Sequence, residues 1–208
     1  MNVKKLSTIA IALCLSITTI AQKTKTPAKS VEINGVTWAT CNVDTPGTFT
    51  STPESLGMYY QWNKNIGWSS TEPAAGVAIE NWNTSAPESN KWEKANDPCP
   101  IGFRVPTRNE IGSLTDKRVT NERLTQNGVN GVKFTDKKSG NSVFFPVAGY
   151  RNKYNGMLDG VNARGFYWSS TLDEEFDDFA YYLFLNNIMT GPFKGTLSYA
   201  HSVRCVKE

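Results

Sequence analysis

Apolar and polar residues alternate in short bursts separated by Gly, Asn, Asp and Pro, a pattern that predicts strands more often than helices. In "VEINGVTWAT" (31–40), Val31 and Ile33 alternate with polar neighbours. Asn34-Gly35 supplies the two positive-φ positions of a tight turn, and Val36 to Trp38 return, predicting a hairpin. "MYYQW" (58–62) reads as a further, aromatic strand. From Asn63 to Asp97 the chain turns polar and rich in Asn, Ser, Pro and Gly, yet it carries Trp68, Trp82 and Trp92. Irregular stretches of that length inside a compact domain serve a function or lack order.

Periodicity changes at "RVPTRNEIGSLTD" (104–116). Thr107 followed three residues later by Glu110 forms a reciprocal capping box, and Pro106 can pack on Ile111, predicting a helix of two to three turns. "GVKFTD" and "SVFFPVAGY" flank the turn "KKSGN" as a second hairpin. "FYWSST", "FAYYLFLNN" and "SYAHSVRCV" supply later strands. A β-rich chain with one or two helices implies an α+β class. The "WSST" at 68–71 and again at 168–171 is not a repeat, because the residues that follow each copy share nothing.

Residues 1–21, with Lys4 and Lys5 before an apolar run and small residues at Thr19 and Ala21, read as a secretory signal. Polar residues 22–30 read as a flexible leader, and 31–208 as one domain. The apolar run is too short to span a bilayer comfortably. Without Lys4 and Lys5 the formal net charge falls from +3 to about +1, which gives no footprint for nucleic acid or an anionic membrane. Cys41, Cys99 and Cys205 follow the signal, and an oxidising compartment would pair two of them in any of three ways.

Candidate chemistry is sparse. A single histidine, His201, leaves little material for multi-histidine zinc sites or Ser-His relays, and it reads as structural. The acidic run "DEEFDD" (173–178) lacks the spacing of a calcium loop and reads as a solvated turn. Calcium is therefore a possibility without a motif, and no other cofactor is implied. No phosphate-binding glycine loop is present. Aromatics dominate: six Trp, eight Tyr and ten Phe can fill a core or, exposed, stack on sugars or anchor a partner. Trp38, Trp62 and Trp168 sit in apolar strand contexts and read as core. Trp82 and Trp92, in polar surroundings, stay open between core plug and ligand contact.

Taken in order, "VTWATCNV", "YYQWN", "NDPCPIGFRVPTRNEI", "VFFPVAGYRN", "GFYWSST" and "SVRCVKE" closely resemble the Fibrobacter succinogenes major paralogous domain, a family of exported and surface proteins of Bacteroidetes and Fibrobacteres. The resemblance covers residues 31–208. It implies a C-type-lectin-like fold: a small twisted antiparallel sheet, one or two flanking helices and long irregular loops. It also implies a Cys99–Cys205 disulfide with Cys41 as the free thiol, and Trp168 in the core with Ser169 and Ser170 bonded to backbone. The oxidase branch of that fold needs a second cysteine pair, which this chain lacks, so that activity is not implied.

The resulting expectation is a secreted or surface-exposed, non-enzymatic module that recognises a glycan or a surface protein through loops. Trp82, Trp92, Arg151, Tyr154 and Asn186 are the candidate contacts. The alternatives are a carboxylate-dependent glycan hydrolase and a structural subunit of a surface assembly linked through Cys41.

Overall fold

The computed structural model describes residues 30–208 apart from 86 and 88. The expected secretory signal (1–21) and the expected leader, up to residue 29, lie outside the described residues. In chain order the first strands are β1 (Ser30–Ile33), β2 (Val36–Ala39), β3 (Tyr59–Gln61), β4 (Gly67–Trp68) and β5 (Phe103–Arg104). The helix α1 (Arg108–Ser113) comes next, then β6 (Val119–Gln126), β7 (Val129–Asp136), β8 (Ser142–Pro146), β9 (Tyr150–Arg151) and β10 (Leu158–Asp159). The last strands are β11 (Arg164–Leu172), β12 (Phe179–Asn186), β13 (Thr190–Thr196), β14 (Ala200–Ser202) and β15 (Val206–Lys207).

These strands form three sheets: β1-β2-β15-β5, β6-β7-β8, and a large sheet ordered β10-β9-β14-β11-β12-β13 with β3 and β4 attached through β14. The architecture is nearly all β, which overturns the expected α+β, C-type-lectin-like class with flanking helices. The reason lies in one short segment. The capping box at Thr107 and Glu110 forms as expected. The Ser113 hydroxyl then donates to the Glu110 carbonyl, and the Thr115 hydroxyl donates to that of Gly112. Side chains that compete for these carbonyls, together with Gly112, end the helix after six residues. The chain continues into β6, "VTNERLTQ", whose mostly exposed polar side chains hid it from a hydrophobic reading.

Other elements follow their turn chemistry. Asn34 and Gly35 adopt φ of 50° and 81°, and β1 pairs with β2 in the register Ile33↔Val36. The β7–β8 hairpin closes over the 137–141 turn, where the Asp136 carboxylate accepts from the backbone N–H groups of Lys138 and Ser139.

The main core lies where the three sheets and the helix meet. Ile33, Trp38 and Val206 come from the first sheet, Val132, Phe134 and Phe145 from the three-stranded one, and Tyr167, Leu183 and Leu185 from the inner face of the large one; Ile111 and Leu114 are added from the helix segment. Each fully buried Phe or Leu here stabilises by about 1.5–3 kcal/mol. Cys99 and Cys205 are disulfide-bonded across 106 residues, tying the helix entrance to the last strand. The strand pair Val206↔Trp38 holds the two ends of the described chain together, and Val206↔Arg104 adds the segment before the helix to the same sheet.

Two arginines are sealed inside without a carboxylate partner among the described residues. Arg204 donates Nε to Asn42 Oδ1 at 2.8 Å and Nη1 to the Thr40 carbonyl at 2.7 Å, and its guanidinium lies 4.5 Å from the centre of the Phe145 ring. Arg151 serves the site region described next.

Candidate functional site

Period-2 geometry divides the side chains of β11 and β12 between two faces. Tyr167, Leu183 and Leu185 point into the core, so Phe166, Tyr182 and Phe184 emerge on the other face. Register aligns them: Phe166 stands opposite Phe184, and Tyr182 stands opposite Phe193 of β13. Tyr150 from β9 and Tyr199 before β14 extend the set. The rings form one continuous row, with centroids 5.6 Å apart for Tyr199–Tyr150, 4.7 Å for Tyr150–Phe166, 5.1 Å for Phe166–Phe184 and 5.5 Å for Phe184–Phe193. Neighbouring rings tilt by 59–75°, so the row is corrugated rather than flat. Its members are half-buried, and Phe193 at the sheet edge is 41% exposed.

A polar margin borders the row. Tyr150 donates its hydroxyl to Asp159 Oδ2 at 2.8 Å, and Asp159 also pairs with Arg164 at 3.2 Å. Burial, reinforced by Asp159, pushes the Tyr150 hydroxyl up to about 12, so it remains a neutral donor near neutral pH. The Lys153 ammonium stands 5.9 Å from the Tyr199 ring and 5.1 Å from that of Tyr154.

Beneath the row lies His201, 1% exposed. It stacks on Trp168 at 4.1 Å and on Phe166 at 5.0 Å, with the edge of Tyr182 at 5.0 Å. Its Nδ1 has no hydrogen-bond partner, and burial holds its pKa well below the ordinary 6.5. The imidazole therefore acts as a neutral aromatic filler that supports the outer rings.

The sequence-derived candidates divide by depth. Arg151 is fully buried, and its guanidinium donates to the backbone carbonyls of Ser69 (2.7 and 3.0 Å), Glu72 (2.7 Å), Pro73 (3.2 Å) and Gly156 (3.0 Å). It pins two loops. Trp82, 9% exposed, packs on Trp68 at 5.0 Å and donates Nε1 to the Lys153 carbonyl at 3.2 Å. Gly156, at φ 69°, lies so close beneath it that a Cβ would stand 2.4 Å from the indole. Trp92 is half-buried, packs edge-on against Trp62 at 5.4 Å and donates Nε1 to the Asn96 carbonyl. These three side chains give the long irregular segment its internal order and are spent on scaffold contacts.

Tyr154, 75% exposed, lies on the loop that Arg151 and Trp82 pin, near Lys153 at the end of the row. Asn186 ends β12. Its Oδ1 caps the β12–β13 turn by accepting from the N–H groups of Ile188 and Met189 at 2.8 Å. Cys41 is free and buried, in the wall of an apolar hollow with Phe49, Ile101 and Phe103. In the acidic run, Asp173 accepts from the Tyr181 hydroxyl at 2.8 Å and Lys194 Nζ at 3.1 Å. Burial opposes its charge, but these donors prevail and hold the carboxyl below its ordinary value. Among the described residues, no cluster of three or more His, Cys, Asp or Glu converges as a metal site would require, and no helix is long and apolar enough to cross a membrane.

The structure thus brings together a surface that the residue-by-residue reading did not single out: Tyr150, Phe166, Tyr182, Phe184, Phe193 and Tyr199. The alternation of aromatics at 182 and 184 carried the signal. Which face they occupied depended on the register with β11 and β13. Residues 115–206 match a family described as a domain of unknown function (DUF8237), a span that includes every residue of the aromatic row. No curated protein and no solved structure matches the chain.

Proposed function

We propose that this chain is an exported, non-enzymatic binding module whose aromatic sheet face takes a glycan. The carrying observation is the unbroken row of five rings from Tyr199 to Phe193, part-exposed on a rigid sheet and bordered by hydrogen-bonding groups. Apolar ring surface suits the C–H faces of sugars, and Tyr150, Asp159, Arg164 and Lys153 can meet their hydroxyls. Contiguous exposed apolar surface rimmed by polar groups marks interaction sites in soluble proteins. Export is supported by the targeting signature in residues 1–21, by the resemblance to a family of surface proteins, and by the Cys99–Cys205 bridge, which suits an oxidising compartment. Five cavities among the described residues are each lined by at most one carboxylate, so none of the five offers the paired acid and base that the hydrolase alternative needs.

A second reading, a protein partner, is favoured by one observation. Ile188 (81% exposed) and Met189 (45%) project from the β12–β13 turn, carrying the apolar surface beyond Phe193. A glycan array probed with the full chain and with Phe193→Ala decides between them. Saturable glycan signals that fall at least tenfold in the variant support the first reading. An array without signal, alongside capture of a partner that Ile188→Ser abolishes, supports the second. A single-site affinity near the millimolar range, about −4 kcal/mol, is sufficient where many copies meet a polymeric ligand.

A further inference from the structure

The β6–β7 hairpin approaches the start of β11 and the β12–β13 turn, leaving a cleft of about 450 Å³. This lies within the size range of small-molecule sites. Its walls hold Arg123, Thr125, Asn130, Asn162, Asn186 and Asn187 over an apolar floor that includes Leu124 and Val147, with no carboxylate in the lining. We propose that this cleft binds a carboxylate-bearing sugar unit of the uronic-acid type, with Arg123 as the anion contact and the asparagine amides on the ring hydroxyls.

Arg123 is fixed across the mouth of the cleft. Its Nε donates to the Asn186 carbonyl at 2.9 Å, and its Nη2 reaches Thr190 Oγ1 at 3.4 Å. Its Nη1 has no partner among the described residues, and no carboxylate pairs with the guanidinium. The nearby arginine of the large sheet, Arg164, is by contrast already engaged by Asp159. Arg123 therefore supplies the uncompensated charge, positioned by neutral acceptors that do not cancel it.

The amides are partly pre-set. Asn130 Oδ1 accepts from the Thr125 hydroxyl at 2.7 Å, and its Nδ2 donates to the Asn162 carbonyl at 3.2 Å. Asn186 spends its Oδ1 on the turn, leaving Nδ2 without a partner among the described residues. The side-chain amides of Asn162 and Asn187 likewise make no hydrogen bond within the described chain. Asn162 and Asn187 each offer a donor beside an acceptor, and Asn186 adds a donor, which matches hydroxyls that both give and accept a proton. A simple carboxylate would use only the arginine, and a neutral sugar only the amides. The combination selects a polyol that carries an acid group. This inference stands on the cleft's own side chains and not on the aromatic row.

The test is a titration of the ¹⁵N-labelled full chain with glucuronate, glucose and acetate, read by amide and side-chain NMR shifts. The expected result is saturable shifts confined to the cleft, half-saturation at a concentration about tenfold or more lower for glucuronate than for glucose, and no comparable shifts with acetate. Arg123→Gln should abolish the preference over glucose. Asn187→Ala, an exposed change that breaks no internal contact, should weaken glucuronate severalfold, and Phe193→Ala should leave it unchanged. Equal binding of glucose and glucuronate, shifts located elsewhere, or an unaltered response in both cleft variants would overturn the proposal. Loss of cleft binding with intact array signals would leave the aromatic-face reading standing.

Discussion

His201 turns the packing beneath the aromatic row into a measurable pH dependence. The ring is enclosed by Trp168, Phe166, Tyr199 and Tyr182, with Tyr150 at 6.2 Å; the charged groups beyond these rings are Lys153 and the Arg164–Asp159 pair. Burial keeps the folded imidazole neutral well below the pH at which an unfolded one protonates, near 6.5. Above 6.5 neither state holds the proton, and His201 adds no pH dependence. Below it the unfolded chain gains a proton that the folded chain refuses, so stability falls as pH falls, by up to about 1.4 kcal/mol per pH unit. Between pH 7 and pH 5 this comes to about 2 kcal/mol if the folded ring remains neutral throughout. Carboxylates held low by their partners, such as Glu110 beside Arg104 and Thr107, lose their contribution only at lower pH; Asp97, pushed up by burial, works in the opposite direction. Comparing wild type with His201→Phe cancels these carboxylates. Urea unfolding followed by tryptophan fluorescence at both pH values should show the extra loss in the wild type alone. As the sequence has a single histidine, its ring proton resonances report the folded titration directly. An imidazole that titrates near 6.5 in the folded protein, or an equal loss in His201→Phe, refutes the reasoning.

Three further outcomes follow from the packing. Cys99→Ser with Cys205→Ser should lower unfolding free energy by about 4–5 kcal/mol, because the bridge closes a loop of 106 residues; a loss under about 1 kcal/mol in denaturant titrations contradicts this. Arg151→Met should cost about 3–5 kcal/mol and speed amide exchange across residues 69–73 and 156, since four backbone carbonyls lose a buried donor; unchanged exchange there contradicts it. Gly156→Ala should cost about 1–3 kcal/mol and alter Trp82 emission, because the added methyl meets the indole at a positive φ.

What could be read in the sequence was what local chemistry determines. Asn34-Gly35 specified the first hairpin, Thr107 and Glu110 the helix start, and the aromatic strand segments their extended form. The motif resemblance implied the Cys99–Cys205 pair, which the structure contains. Length and sidedness were hidden. The helix stops because Ser113 and Thr115 hydroxyls take its last carbonyls, and β6 forms because β7 offers a partner for a strand with little apolar pattern of its own. Arg151 read as a loop contact and Trp82 stayed open between core and ligand contact because the residues that follow or surround them in sequence are polar. Most of their partners are backbone carbonyls some seventy to eighty residues away. The aromatic row arises from cross-strand register, which no single strand encodes, and the asparagine-lined cleft from four separated segments.

The most direct test of the central claim, that the outer face of the large sheet is the ligand surface, is chemical-shift mapping with an oligosaccharide chosen from the array hits. The account predicts saturable ring and amide shifts at Tyr150, Phe166, Phe184, Phe193 and Tyr199, lost in Phe193→Ala while Trp82→Phe binds normally. Shifts that spare all five residues and gather around Trp82 and Trp92 would contradict it.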